Sequence, residues 1–157
     1  MKDKNERILL VESSPETSEV IYHQILKPLG YQVLASQTVS DALTDIYQFS
    51  PDIIITNLRL ADLSGKDLLV ALSAQGIEIP VIAIAEKGME ADLIAALRLG
   101  ATDYCVMPIR EVEIASAVDR VTKQIRSRKE KENLFFKLEQ ENRALQKRVD
   151  DLTDRKS

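Results

Sequence analysis

The sequence predicts an α/β fold in which five parallel strands form a doubly wound sheet, followed by one long C-terminal helix. Three observations support this prediction. Five short apolar runs alternate with segments of helical periodicity. The first run, residues 8–11, is apolar throughout, which is typical of a parallel strand buried on both faces. Neither Gly nor Pro occurs after Pro108, so the composition favours an unbroken helix beyond that point.

The composition fits one globular domain with an appendage. The chain has 157 residues, of which 45% are hydrophobic, and its net charge is −4. This charge gives no general attraction to nucleic acid or to an anionic membrane. No stretch approaches the roughly 18 apolar residues of a membrane span, and residues 1–7 lack the features of a signal peptide. We expect a cytoplasmic protein in which the single cysteine, Cys105, is a small buried hydrophobic residue.

The first strand is predicted over residues 8–11, an Ile-Leu-Leu-Val run that ends at a polar turn. Ser13 or Ser14 is expected to cap the helix that follows, because serine oxygens accept from free N–H groups of the first turn. Pro15 suits that first turn, where no N–H is needed. Gly30 is expected to end the helix as its C-cap.

The second strand is predicted over residues 31–35. Ser40 or Asp41 is expected to begin the next helix, which a Ser-Pro pair ends. The third strand, residues 52–56, is the most apolar of the five and is therefore expected to be central. It delivers Asn57 at its carboxyl end, and a loop then leads to a leucine-rich helix.

The second half of the chain repeats the alternation. Residues 80–85 form the predicted fourth strand, and residues 91–99 form an Ala/Leu-rich helix closed by Gly100. The fifth strand lies within residues 101–107. Helix is predicted from about Glu111 onward, where apolar residues recur at helical spacing.

Polar chemistry in such a sheet collects at the carboxyl ends of the strands, where the strand order reverses. For the order 2-1-3-4-5 that point lies between the first and third strands. The groups expected there are Glu12, Ser13 and Asn57. Ala85 and Met107 end the neighbouring fourth and fifth strands, so the five side chains are predicted to share one edge of the sheet.

Four segments resemble the receiver domain of two-component response regulators: residues 8–13 (ILLVES), 51–57 (PDIIITN), 80–82 (PVI) and 100–104 (GATDY). Together, and in this order, they extend the resemblance over roughly residues 5–125. The resemblance implies a flavodoxin-like fold and a role in bacterial-type signalling. It also implies that the exposed face around the fifth strand, including Tyr104, is a switch and docking surface for a signalling partner.

The family's chemistry uses five groups, and the resemblance locates their counterparts here. Two acids after the first strand help hold Mg²⁺, and an aspartate after the third strand accepts the phosphoryl group. A hydroxyl after the fourth strand and a lysine after the fifth bind that group. At these positions the sequence has Glu12, Ser13, Asn57, Ala85 and Met107.

This inventory predicts a degenerate pocket. An amide is a poor nucleophile, Mg²⁺ prefers charged oxygen ligands, and phosphoryl transfer depends on cationic groups. We therefore expect a non-enzymatic pseudo-receiver with no cofactor and with weak or absent Mg²⁺ binding. In the loop after the third strand, Ala61 stands where the family has a proline. The geometry of this loop is therefore less certain than that of the strands.

Alternatives to this interpretation remain open. The chain could still be a phosphorylation-dependent receiver, or a pseudo-receiver that binds a small ligand and controls an output domain. Deamidation of Asn57 would restore an aspartate, but Leu58 follows it and makes the reaction slow. The lone histidine, His23, has no partner at metal-ligand spacing.

The C-terminal segment carries a heptad pattern. Position a holds Phe135, Asn142 and Val149, and position d holds Leu138, Leu145 and Leu152. Leucine at d with a single Asn at a central a position is typical of a parallel two-stranded coiled coil. We expect a homodimer through residues 126–157, as a coiled-coil helix continuous with the last helix of a domain at residues 5–125. The alternative is an amphipathic helix lying on its own domain.

A basic stretch, residues 120–131, precedes the heptads and contains six Lys or Arg against one acid. A basic segment before a leucine zipper is found in bZIP proteins. The base-reading Asn and small-residue arrangement of those proteins is missing, so direct nucleic acid binding is not predicted. A solvated helix face explains this positive charge. The sequence does not name the signalling partner or output domain.

Overall fold

The computed structural model describes residues 5–154. Five strands form one parallel sheet in the order β2-β1-β3-β4-β5, which confirms the predicted topology. The strands are β1 (Arg7–Val11), β2 (Gln32–Ser36), β3 (Ile53–Asn57), β4 (Val81–Ala85) and β5 (Asp103–Val106).

Helices follow each strand in turn. They are α1 (Pro15–Glu19), which continues into a π-helical segment (Val20–Leu26), α2 (Val39–Phe49), α3 (Gly65–Ala74), α4 (Glu90–Arg98) and α5 (Glu111–Asp154). The predicted long C-terminal helix is confirmed as α5. Within residues 5–154, none of the helices combines the length and apolar character needed to cross a bilayer.

The central strands are buried on both faces because their residues are apolar at nearly every position. All five residues of β3 and all five of β4 are buried. One side of the sheet packs against apolar residues of α2, α3 and α4 in a single cluster. Burying one aliphatic side chain contributes roughly 1.5–3 kcal/mol, so this aliphatic cluster is a large part of the folding free energy.

Two helix ends differ from the sequence prediction. Helix α2 is capped by Thr38, whose hydroxyl accepts from the Asp41 N–H at 3.1 Å, so the helix begins before Ser40. The first helical region ends at Leu26, not at Gly30. The chain then makes a turn in which Gly30 adopts a φ of 94°, a conformation that favours glycine. Serine capping of α1 is as predicted, with Ser14 as the cap.

The chain divides into two compact units, one ending at Val121 and the other beginning at Thr122. The first contains the sheet and the start of α5. The second is the remainder of α5, in which every described residue beyond Ile125 is exposed in the single chain.

Candidate functional site

The register of the sheet places the ends of β1 and β3 side by side. Val11 pairs with Thr56, so Glu12 and Asn57 emerge next to each other at the carboxyl edge. The Asn57 side-chain Nδ2 donates to both carboxylate oxygens of Glu12, at 2.9 and 3.2 Å. Both residues are buried, with 2% and 5% of their surface exposed. The two groups therefore form an amide–carboxylate pair shielded from water.

The Asn57 amide is bonded at both ends. While Nδ2 donates to Glu12, the Oδ1 atom accepts from the Arg59 backbone N–H at 3.0 Å. An aspartate at this position would accept the second bond but could not donate the first. The amide thus joins the end of β1 to the loop after β3.

The environment of Glu12 is unusual for a carboxylate. Burial raises the pKa of the Glu12 carboxyl above its ordinary value, because the charged form loses solvation. The bond from Asn57 and bonds from the backbone N–H groups of Ser14 and Ser13 act in the opposite direction, and the Glu86 carboxylate adds a further increase. The net pKa stays raised, since desolvation is the largest effect.

Ser13 connects three loops. Its hydroxyl donates to the Gln37 carbonyl in the loop after β2 and accepts from the Ala61 N–H at 2.8 Å in the loop after β3. A proline at position 61 has no N–H and could not make the second bond. The serine and the alanine, each a departure from the expected pattern, are therefore partners in one hydrogen bond.

The loop after β3 is fixed at a second point that sequence reasoning missed. The Asp62 carboxylate accepts from the backbone N–H groups of Val39 and Ser40 at 3.0 and 3.2 Å, at the beginning of α2. The bond from Val39 is the largest cause that lowers the Asp62 pKa below its ordinary value. An acidic residue near a helix N-terminus is favourable, but only the fold brings this one to α2.

The other two residues at this edge are apolar. Ala85 is buried and Met107 is half-buried, and the Met107 N–H donates to the Ala85 carbonyl at 2.8 Å. Arg59 lies two residues after Asn57, and Glu86 directly follows Ala85. Their side chains form an ion pair whose nitrogen and oxygen atoms are 3.2 Å apart. Sequence reasoning missed this pair as well. Because both side chains are more than a third exposed, it contributes only about 0–1 kcal/mol.

A family model for the response regulator receiver domain matches residues 8–119. The chain belongs to the response regulator receiver domain family. The match covers the whole sheet from the first buried residue of β1 to the start of α5.

Two curated proteins resemble the chain at moderate identity. The regulatory protein LuxO of Vibrio vulnificus is 29% identical over 107 residues, which are 66% of this chain and 24% of LuxO. The response regulator protein TmoT of Ectopseudomonas mendocina is 25% identical over 148 residues, 94% of this chain and 67% of TmoT. The chain thus matches about a quarter of the length of LuxO.

Among solved structures, the signal receiver domain of a signal transduction histidine kinase from Syntrophus aciditrophicus is similar in sequence and in fold. It is 30% identical, with a TM-score of 0.69, and the match covers 76% of this chain and 92% of that one.

The oxygen atoms at this edge of the sheet do not suit Mg²⁺ as ligands. Both Glu12 oxygens accept from Asn57, and the Ser13 hydroxyl is bonded to Gln37 and Ala61. Asn57 directs its donor side, not its oxygen, at Glu12. Within residues 5–154, no group of three or more His, Cys, Asp and Glu side chains is arranged to hold a metal ion.

The remaining predicted residues lie apart from this edge. Tyr104 in β5 is 47% exposed, beside the exposed apolar residues Val106 and Val112. Cys105 is buried, and desolvation raises the pKa of its thiol to about 11, so the thiolate is disfavoured at neutral pH.

In the second unit, the residues of the predicted seam are open to solvent in the single chain. The exposed fractions are 64% for Phe135, 54% for Leu138, 59% for Leu145, 55% for Val149 and 59% for Leu152. Asn142 between them is also exposed. The helix therefore presents an apolar stripe interrupted by one amide.

Proposed function

We propose that this receiver domain accepts no phosphoryl group and acts as a non-enzymatic dimerisation and protein-interaction module in bacterial-type signal transduction. The observation that carries the proposal is the bond from Asn57 Nδ2 to both oxygens of Glu12. The positions of the family's nucleophile and of one of its metal ligands are thus occupied by an amide and a carboxylate that are bonded to each other.

Chemistry supports the same conclusion. The nitrogen lone pair of an amide is delocalised, so Asn57 cannot form an acyl phosphate as an aspartate would. Ala85 and Met107 supply neither the hydroxyl nor the ammonium group that would neutralise the charge of a phosphoryl group. Restoring the aspartate alone would leave these other groups missing.

Phosphorylation is tested with acetyl phosphate and Mg²⁺, and separately with beryllofluoride and Mg²⁺, on the full chain. We expect intact-mass spectrometry to detect no phosphoryl adduct and amide spectra to stay unchanged with beryllofluoride. The control is a variant with Ser13→Asp, Asn57→Asp, Ala85→Thr and Met107→Lys, which regains the family's groups and should shift with beryllofluoride. An adduct on the unaltered chain would disprove the proposal.

Dimerisation is the second part of the proposal. The exposed seam from Phe135 to Leu152 has Leu at each d position, and full burial of one leucine contributes roughly 1.5–3 kcal/mol. Pairing with a second copy of the helix would cover this stripe. Asn142 at a central a position favours a parallel, in-register pair of two strands, because the two amides can bond to each other only in that alignment.

Sedimentation velocity on the full chain tests the dimer. Leu145→Glu places a charge in the seam and should shift the chain to monomer at concentrations where the unaltered chain is dimeric. Gln140→Glu adds the same charge at an outer heptad position and should leave the dimer intact. A monomer at all concentrations for the unaltered chain, or equal effects of both substitutions, would refute the coiled coil.

The partner surface is proposed on the exposed apolar residues around β5. Tyr104, Val106 and Val112 are 47%, 37% and 74% exposed, and apolar side chains clustered in this way are favourable contacts for another protein. The partner itself, whether a signalling protein or an output domain, would be found by cross-linking from these positions.

A further inference from the structure

The predicted seam of α5 changes its chemical character just before Phe135. When the heptad frame in which Phe135 is position a is continued one heptad towards the N-terminus, Arg128 falls at a and Lys131 at d. Apolar residues usually occupy both positions, and a charge there lowers the stability of the pair. In a parallel, in-register pair, two cations from each copy would therefore meet at the beginning of the seam.

A groove of about 440 Å³ runs along this part of α5. The residues that line it are Lys123, Gln124, Ser127, Arg128 and Lys131. Apart from Lys123 at c, they occupy a, d or g positions of the same frame, so the groove lies along the continuation of the seam. Among the residues that the structure describes, three cations and no carboxylate line it. Its volume lies within the roughly 300–1,000 Å³ of ligand sites.

The other charges of this stretch have simpler explanations. Arg126 and Lys129 occupy positions f and b, which stay in water in a two-stranded pair. Glu132 at e pairs with the Arg128 Nε at 3.3 Å. Because these two side chains are 66% and 70% exposed, their ion pair contributes little and can exchange for a contact with a more highly charged anion.

We infer that two copies of the helix bind a small anion with two or more linked phosphate groups between them, held by Arg128 and Lys131 of both copies. The inference rests on the proposed dimer and deepens it by naming a ligand. The Arg128 guanidinium is a planar fork of N–H donors that matches phosphate oxygens, and Lys131 adds a point charge. Residues 128 and 131 are about 4.5 Å apart along the helix axis, so linked phosphate groups can contact both.

Such an anion would control dimerisation. A phosphate group carries more negative charge than a carboxylate, which suits a cluster of cations from two copies. The anion would neutralise the repulsion at the beginning of the seam. Because it would bind the dimer and not the monomer, it would shift the equilibrium towards the dimer by mass action. A receiver that accepts no phosphoryl group would thus respond to a phosphate-bearing ligand through its paired helices.

Sedimentation velocity on the full chain tests this inference, with inorganic diphosphate as the probe. Sodium chloride at equal ionic strength is the control, because salt alone screens like charges. We expect diphosphate to lower the dimer dissociation constant roughly tenfold more than sodium chloride, as the sum of several exposed charge contacts. Equal effects of the two salts would overturn the inference.

Two lysine variants locate the site. Lys131→Gln removes one charged contact from each copy and should weaken diphosphate binding to the dimer roughly four- to twenty-five-fold, at two- to fivefold for each contact. Lys129→Gln makes the same change two residues away, outside the groove, and should leave the affinity unchanged. Isothermal titration calorimetry at concentrations where the chain is dimeric measures both. Equal weakening would show general charge attraction and refute a defined site.

Lys131→Leu tests whether the seam extends to this heptad. Leucine at d is apolar, so we expect a stronger dimer without diphosphate and a smaller response to diphosphate. Both changes are measured by sedimentation. A dimer of unchanged strength would show that the seam does not include residue 131 and would overturn the inference.

The failures can be distinguished. A chain that is dimeric but responds equally to diphosphate and sodium chloride contradicts the anion site alone. A chain that stays monomeric with and without diphosphate contradicts the proposed dimer and the anion site together. An acetyl-phosphate adduct on a chain that still pairs with diphosphate contradicts only the proposal that the receiver accepts no phosphoryl group.

Discussion

The Ser13 hydroxyl accepts a hydrogen bond of 2.8 Å from the Ala61 backbone N–H, linking the loop after β1 to the loop after β3. The family's pattern has an acid and a proline at these positions. A proline could not donate, and the acid would be directed at a metal ion. The two replacements therefore depend on each other, and the loop is held by protein atoms.

This dependence predicts the outcome of a double-mutant cycle. Ser13→Ala should cost about 1 kcal/mol of unfolding free energy, the usual net value of a hydrogen bond. In an Ala61→Pro background the same substitution should cost about 0.5–1 kcal/mol less, because the bond from residue 61 is already lost. Ala61→Gly keeps the N–H and serves as the control, in which Ser13→Ala keeps its full cost. Urea denaturation measures the unaltered chain and the five variants, and additive costs of Ser13→Ala and Ala61→Pro would contradict the coupling.

Asn57→Asp should destabilise the fold at neutral pH. The substitution removes the donor to Glu12 and sets two carboxylates against each other in a buried position. We expect a loss of about 1.5–3 kcal/mol, the range for a lost hydrogen bond to a charged group. The loss should diminish at acid pH, where the two carboxyl groups share a proton. Asn57→Ala removes the donor without adding charge and should show a weaker pH dependence. Identical pH profiles for the two variants would be inconsistent with charge repulsion.

Glu12 predicts a pH dependence of stability. Its pKa is raised in the folded chain, chiefly by burial, so the folded state holds the proton more tightly than the unfolded state. The stabilising contribution is full below the unfolded pKa and is lost as the pH rises through the folded pKa. The free energy of unfolding of the unaltered chain, relative to Glu12→Gln, should therefore fall as the pH rises through this window.

Asp62 supplies the control of opposite sign. Its pKa is lowered by the bond from the Val39 N–H, so its contribution is present above the unfolded pKa and is lost as the pH falls through the folded pKa. Asp62→Asn should thus lose more stability, relative to the unaltered chain, at neutral pH than at acid pH. Parallel trends for Glu12→Gln and Asp62→Asn would contradict the assignment whose expected sign they do not match.

Gly65 is required by close approach at the start of α3. A Cβ atom added there would lie 2.6 Å from the Asn57 carbonyl oxygen and 2.9 Å from the Leu58 Cα, both of which are backbone atoms. Gly65→Ala should therefore destabilise the fold by about 1–3 kcal/mol and shift the amide signals of Asn57 and Leu58. Ser73→Ala, at an exposed position of the same helix, should do neither. A Gly65→Ala chain of normal stability and spectrum would disprove the steric argument.

Much of the fold follows from local patterns. The apolar run of residues 53–55 is buried as expected of a central parallel strand, and the absence of Gly and Pro after Pro108 agrees with the unbroken helix α5. Helix starts were less well predicted. Thr38, Ser40 and Asp41 all suit an N-cap, and the choice of Thr38 depends on backbone geometry that composition does not express.

The sequence by itself determined which chemical groups stand at the edge of the sheet, because each follows the end of a strand and parallel strands end together. Only the tertiary structure decided how those groups are bonded. The bonds of Asn57 to Glu12 and of Ala61 to Ser13 span 45 and 48 residues, and Asp62 reaches α2 across 23. Such contacts depend on the orientation of loops after the sheet has formed, for which local residue patterns carry no signal. The geometry of the loop at Ala61 therefore followed only from the tertiary structure, in which Ser13 and Asp62 fix that loop by hydrogen bonds.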